Sequence, residues 1–325
     1  MNVEAGWKPD ILGEDFESLD LPLGTDPEGE GQAVATLVRR RGGESADRAV
    51  LWVHGMTDYF FQAHVAEWFT EQGYAFYALD LRKCGRARQK GQRWHYSENF
   101  ENYYPDLTAA LKTIAAEVPG GIIPLGHSTG GLIVPLWLDH LRRHDPTLLD
   151  KVPGLILNSP WLDMQYPTWM VRMMKPIVGT LGRRFPTVAI PGGNLRTYAE
   201  SIHVSEHGEW KFDTTLKPLE GHPKYLGWLR AVLIAQKRIQ TGDVNVGVPV
   251  LTLLSSSSYL GKAYSAAADT ADVVLDVEQI ERWAPKVGST VTVASIDGAR
   301  HDVFLSLPHA LKHVKSTTRE WLAAL

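Results

Sequence analysis

The chain has 325 residues, 44% hydrophobic and 22% charged, with a formal charge of −4 and one cysteine, Cys84. That balance excludes a disordered or fibrous chain and a nucleic-acid binder that relies on a broad basic face. A lone cysteine can form neither an intrachain disulfide nor a cysteine-based zinc site, which suits a reducing compartment.

In chain order, Met1 to Asp20 carries Glu4, Asp10, Glu14, Asp15 and Glu17 and has neither the basic start nor the apolar run of a signal peptide. No later stretch reaches the roughly 18 apolar residues of a membrane span, so a cytoplasmic location is expected. Short β-rich runs follow at 32–39, 49–53, 75–81, 122–125, 155–158, 250–254 and 290–296. Helical patterns lie between them at 60–72, 105–117, 129–144, 277–283 and 308–325. This alternation predicts an α/β fold with a mostly parallel sheet flanked by helices.

Residues 161–248 break the alternation. They contain no evident strand, six prolines, a Gly192-Gly193 pair and Trp161, Trp169, Trp210 and Trp228, four of the eleven tryptophans. So long a stretch is not a loop. It is expected to be a partly helical cap or lid inserted between two parts of one core, 1–160 and 249–325.

The strongest motif is Gly126-His127-Ser128-Thr129-Gly130, between an apolar strand and a helical pattern. A sharp strand-to-helix turn holds the serine in a strained conformation, and the flanking glycines avoid collisions there. Upstream, Leu51-Trp52-Val53-His54-Gly55-Met56 ends a strand where an oxyanion loop belongs, which makes the backbone amides of Met56 and Thr129 the expected donors. His54 is expected to orient that loop rather than act as a base. His301, after the last strand, is the expected base; His309 and His313 fall on the final helix surface. Asp272 is the expected acid, with Asp163, Asp269 and Asp276 as alternatives, Asp276 fitting a helix N-cap.

The elements Leu51–Met56, Ala78–Arg86, Gly126–Gly131 and Gly298–Phe304 together resemble the α/β-hydrolase fold. More closely, they are similar to its monoacylglycerol lipase and lysophospholipase-like branch, sometimes grouped with serine aminopeptidases. The order Ser128, Asp272, His301 is the family's order. The resemblance implies that Asp272 aligns with the acid and Asp276 with a second carboxylate of a D-x-V-V-D-like string. Residues 255–270 are longer than the usual strand-to-acid turn, and the cap aligns with nothing.

The expected activity is cofactor-independent, metal-free hydrolysis of a carboxylic ester, with an amidase or peptidase as the alternative and a non-catalytic receptor as a further one. The expected partner is a small ester with one hydrophobic arm: a monoacylglycerol, a lysophospholipid or an alkyl half-ester. Phe60, Phe61, Trp161 and Trp169 are candidates to line its pocket. Arg39-Arg40-Arg41 reads as a solvated hairpin turn. Arg82, Lys83, Arg86, Arg88, Lys90 and Arg93 form a basic loop, expected to be solvated, with an anion site as the alternative. Asp80 is expected to anchor that loop. His203-x-x-Glu206-His207 matches a zinc-peptidase string and is read as coincidence.

Overall fold

The computed structural model describes residues 6–43, 45–190 and 195–325; Gly192-Gly193 and the first five residues lie outside them. Its strands are β1 (Lys8–Asp10), β2 (Gly13–Thr25), β3 (Gln32–Arg40), β4 (Arg48–Val53), β5 (Tyr74–Asp80), β6 (Ile122–His127), β7 (Leu155–Asn158), β8 (Ala189–Ile190), β9 (Lys224–Tyr225), β10 (Val250–Ser255) and β11 (Val291–Ile296). The helices are α1 (Ala63–Glu71), α2 (Tyr104–Glu117), α3 (Gly130–His144), α4 (Pro146–Leu149), α5 (Thr168–Arg184), α6 (Arg196–Ile202), α7 (Leu226–Gln240), α8 (Val277–Trp283) and α9 (Pro308–Ala323).

Among the described residues nine strands form one sheet, in the order β1-β2-β3-β5-β4-β6-β7-β10-β11. From β5 to β11 all neighbours are parallel, and β1, β2 and β3 extend the sheet antiparallel. The mostly parallel sheet flanked by helices is therefore as expected. The buried runs of β4 and β6 follow from helices covering both faces. Alternation divides each strand between the two faces: Leu51 and Val53 pack with α2, α3 and α7, whereas Val50 and Trp52 pack with Trp68 and Phe69 of α1 and Val314 of α9.

After β5 the chain crosses back over β4 to form β6. That reversal opens a crevice at the carboxyl ends of β4 and β6, where α/β sheets bind ligands. The residues that follow these strands, Met56 and Ser128, therefore face each other across the sheet's natural cleft.

Four expectations need correcting. The chain from Lys8 to Thr25 holds β1 and β2, where no strand was expected; Glu14, Asp15 and Asp20 lie at exposed positions that hid the alternation, while Asp10 is buried. Residues 161–248 hold a two-stranded pair, Ala189↔Tyr225 and Ile190↔Lys224, where no strand was expected. The arginine triplet is not a hairpin turn, because β5 lies between β3 and β4; Arg39 and Arg41 bind Glu17 instead. The basic loop is solvated only in part: Lys90 is exposed, but most of the other cations are neutralised from within. Buried Lys83 is surrounded by Asp26, Glu28 and Glu30, Arg82 pairs with Asp106, and Arg86 with Asp10 and Asp80. Arg93 pairs with Glu30.

Within 161–248, α7 places Trp228, Val232 and Ile239 in the same core as the sheet. Helix α5 is different: Trp169, Met173 and Ile177 are 64%, 63% and 56% exposed, and its only buried residues are Val171, Val178 and Gly182. Among the described residues no helix is long and apolar enough to cross a membrane.

Candidate active site

Ser128 occupies the turn between β6 and α3 with φ of 53°, a left-handed conformation a serine adopts only under local constraint. The glycines make the constraint possible. A Cβ on Gly126 would lie 2.7 Å from the Gly130 carbonyl oxygen, and one on Gly130 would collide with the carbonyl oxygens of Val53 and His54. The Ser128 amide donates to the Asn158 carbonyl over 3.0 Å, which ties the turn to β7.

Three side chains from distant parts of the chain meet here. The Ser128 hydroxyl donates to His301 Nε2 over 3.1 Å, and His301 Nδ1 donates to Asp272 Oδ2 over 2.8 Å. Asp272 is fully buried, and its other oxygen accepts from the Val274 and Leu275 amides over 2.8 and 2.7 Å. Those two amides compensate a buried carboxylate and fix its orientation. Neither the Met56 nor the Thr129 amide is engaged in the hydrogen bonds of the described residues. The set therefore contains a hydroxyl, a base that can take its proton, a carboxylate behind the base and two free donors near the hydroxyl.

A family model described as serine aminopeptidase, S33, matches residues 44–307, a span that contains all three side chains. The chain belongs to this family. Among solved structures, a soluble variant of monoglyceride lipase from Saccharomyces cerevisiae in complex with a substrate analogue is 15% identical with a TM-score of 0.63; the match covers 99% of this chain and 94% of that one. A monoacylglycerol lipase from Paleococcus ferrophilus is 18% identical, with 95% and 99% coverage and a TM-score of 0.61. Est1E from Butyrivibrio proteoclasticus with ferulic acid bound is 18% identical, with 94% and 98% coverage and a TM-score of 0.54. At these identities the likeness is one of fold, and the fold is the α/β-hydrolase fold. No curated protein sequence matches the chain.

The other acids of this S33-family chain are engaged elsewhere. Asp276 caps α8 by accepting from the Glu278 amide, Asp163 accepts from Trp283 Nε1, and Asp269 binds Tyr264 and Arg300. His54 bridges the loop, donating from Nδ1 to the Gly55 carbonyl and accepting at Nε2 from the Leu81 amide. Asp80 accepts from the Phe60 and Arg86 amides and so anchors the loop after β5. Burial pushes the Cys84 thiol well up, which disfavours the reactive thiolate. His309 and His313 are exposed on α9. His203, Glu206 and His207 do not converge: His203 bonds Ser205, Glu206 pairs with Arg196, and His207 stacks on Tyr264. Among the described residues no cluster of three or more His, Cys, Asp or Glu could hold a metal ion.

A cavity of about 1040 Å³ opens above Ser128 and His301. Its wall includes Trp161, Trp228, Met164, Met170, Met174 and Val178. Of the four expected pocket residues only Trp161 lies on it. Phe60 is fully buried beneath, packed against Trp52 and Phe76, and Phe61 sits behind the wall against Tyr59 and Phe212. Trp169 points to solvent from α5, one helical step from the inward-facing Met170.

Three residues of the site had no local signal. Asp302 is buried and accepts from Gln62 Nε2, Asn158 Nδ2 and its own loop's Phe304 amide over 3.0, 2.7 and 3.0 Å. Asn158 also accepts from the Val303 amide over 3.1 Å. Together they hold the loop that carries His301 against β7 and the segment before α1. The third is Tyr198, whose ring meets His301 edge-on at 5.4 Å and whose hydroxyl burial pushes well above its ordinary range.

Proposed function

We propose that the chain is a serine hydrolase of carboxylic esters. Ser128 Oγ attacks the acyl carbon while its proton passes to His301 Nε2, and Asp272 stabilises the resulting imidazolium. The amides of Met56 and Thr129 hold the oxyanion; losing one such donor in other acyl-transfer enzymes costs about 3–4 kcal/mol. The imidazolium returns its proton to the leaving alkoxide, which departs as the alcohol. Water, deprotonated by the same imidazole, then releases the acid from the acyl-serine. The observation that carries this reading is the Ser128–His301–Asp272 chain of hydrogen bonds, 3.1 and 2.8 Å long, at the foot of a cavity with a mostly apolar wall.

The substrate we infer has one hydrophobic arm, as a monoacylglycerol or lysophospholipid does. Monoacylglycerol lipases among the structural neighbours agree with that choice. A half-ester is less favoured, because the loop expected to meet its carboxylate is already neutralised by internal ion pairs. Residues 161–248 act as the cap, since Trp161, Met170, Met174 and Trp228 come from it. An aminopeptidase needs a carboxylate for the substrate's ammonium group. The two that line the cavity, Asp58 and Glu200, are paired with Lys217 and Arg196, so ester hydrolysis is preferred. We place the protein in the cytoplasm, given its single buried thiol.

Ser128→Ala should abolish p-nitrophenyl ester turnover and fluorophosphonate labelling. Persistent labelling of another residue refutes the assignment. Faster turnover of aminoacyl anilides than of esters refutes the substrate class.

A further inference from the structure

Between β10 and Asp272 the chain makes an excursion, residues 256–271, part of which walls the cavity through Leu260, Lys262 and Ala263. The excursion closes on itself where the Asp272 amide donates to the Ser257 carbonyl and the Tyr259 amide to the Asp272 carbonyl, over 2.9 and 2.8 Å. These bonds fix Asp272 within its own loop. Ser255 Oγ and the Ser256 amide tie the start of the excursion to the Ala299 and Ile296 carbonyls over 2.6 and 3.0 Å, but these bonds leave a gap between its far end, next to Asp272, and the loop that carries His301.

Arg300 spans that gap. It directly precedes His301 and is 1% exposed. Its Nη2 binds Asp269 Oδ1 at 3.1 Å, three residues before Asp272. Its Nη1 donates to the Leu305 carbonyl over 2.8 Å and pairs with Glu209 of the 161–248 segment at 2.8 Å. Its amide donates to Ser306 Oγ over 2.9 Å. A guanidinium is a rigid fork that keeps its charge at any working pH, so one side chain can hold three partners at fixed separations. On the far side, Tyr264 both donates to Asp269 and stacks on His207, ring centres 4.0 Å apart, while Thr197 Oγ1 donates to the Lys262 carbonyl over 2.9 Å. The excursion is thus tied to the His301 loop and to the 161–248 segment.

We propose that Arg300 is a positioning residue: by tying the loop of Asp272 to the loop of His301 it sets the hydrogen bond between them, and through Glu209 it makes that register depend on the seating of residues 161–248. The proposal rests on the reading of Ser128, His301 and Asp272 as the reacting set. It assigns no contact with substrate to Arg300.

The test is fluorophosphonate labelling of the full-length chain, read as rate and as final stoichiometry, together with kcat and KM on a p-nitrophenyl ester. A positioning role slows the reaction of every molecule, whereas a folding role lowers the fraction that reacts. Arg300→Met should label to full stoichiometry but roughly tenfold to a hundredfold more slowly, the range expected of a slight misplacement. Its kcat should fall by the same factor, with KM within roughly twofold. Arg300→Lys should recover part of the rate. Asp269 is partly exposed and its change is milder, so Asp269→Asn serves if Arg300→Met does not fold; it should slow labelling by roughly threefold or more. Glu209→Gln should slow it less than Asp269→Asn but measurably. Wild-type rates in Asp269→Asn, lowered stoichiometry at an unchanged rate in Arg300→Met, or no recovery in Arg300→Lys overturns the positioning role. A wild-type rate in Glu209→Gln overturns the link to 161–248. Failure of Ser128 to label in the wild type overturns the hydrolase reading itself, and the Arg300 role with it.

Discussion

The turn at Ser128 and the helix α5 both line one cavity and are built in opposite ways. Around Ser128 even a methyl group has no room, because Val53, His54 and Gly130 bring backbone atoms to where a side chain would begin. Helix α5 buries three residues of seventeen and leaves an apolar stripe from Trp169 through Met173 and Ile177 in solvent. Reacting atoms must be held within a fraction of an ångström by packed, rigid elements. A cavity wall away from the reacting atoms has no such requirement, and methionines at 164, 170 and 174 suit a surface that adapts.

The sharpest way to break this contrast is Gly130→Ala. Its methyl collides with two carbonyl oxygens, so overpacking should cost about 3 kcal/mol, and ester turnover should fall beyond the loss of folded protein. Denaturant unfolding with parallel kinetics measures both, and a near-neutral result would mean that the turn can yield. Next in size is Asn158→Ala, which removes a donor from buried Asp302 and an acceptor from the Val303 amide. Leaving these groups unpaired should cost about 2–3 kcal/mol and loosen the His301 loop, visible as lowered kcat in the molecules that remain folded.

A pH experiment probes instead how the 161–248 segment seats on the loop after β5, where its His222 stacks on Trp94 at 3.9 Å. Burial pushes His222, and likewise His127, down from 6.5 to about 4. Between those values the unfolded chain binds protons that the folded chain refuses, so stability rises with pH; it is complete above about 6.5 and erodes as pH falls toward 4. The wild-type unfolding midpoint should therefore drop from pH 7 to pH 5, and it should drop less in His222→Gln. Equal drops would remove His222 from the account. The smallest effect is expected on α5, where Ile177→Ser should change stability by no more than about 0.5 kcal/mol. A larger loss would show that this face is covered in solution.

Where the sequence was legible, local geometry made it so. The apolar runs of β4, β6, β7 and β10 are buried on both faces and need no partner to be recognised. The glycines around Ser128 announce a tight turn because no other residue fits. Strand β2 was missed because it carries Glu17 and Asp20, whose partners Arg39, Arg41 and Thr36 are known only once β3 lies beside it. The aromatic pocket was misplaced for a related reason. Whether Phe60 or Trp161 faces the cavity depends on what covers each, and composition is silent on that.

By itself, the sequence determined the alternation of strands and helices, the sharp turn at Ser128 and the late loop of His301. Each rests on periodicity, steric necessity or position along the chain. Only the tertiary structure decided which carboxylate stands behind His301. Asp163, Asp269, Asp272 and Asp276 are equivalent as residues; what separates them is that Trp283, Arg300 and the Glu278 amide occupy three, while the fourth reaches the imidazole at 2.8 Å. The basic loop after β5 was decided in the same way, because Asp10, Asp26, Glu28 and Glu30 lie far back in the chain and neutralise it only after folding. Charge pairing and choice of partner act through space at a few ångströms, and separation along the chain carries little of that information.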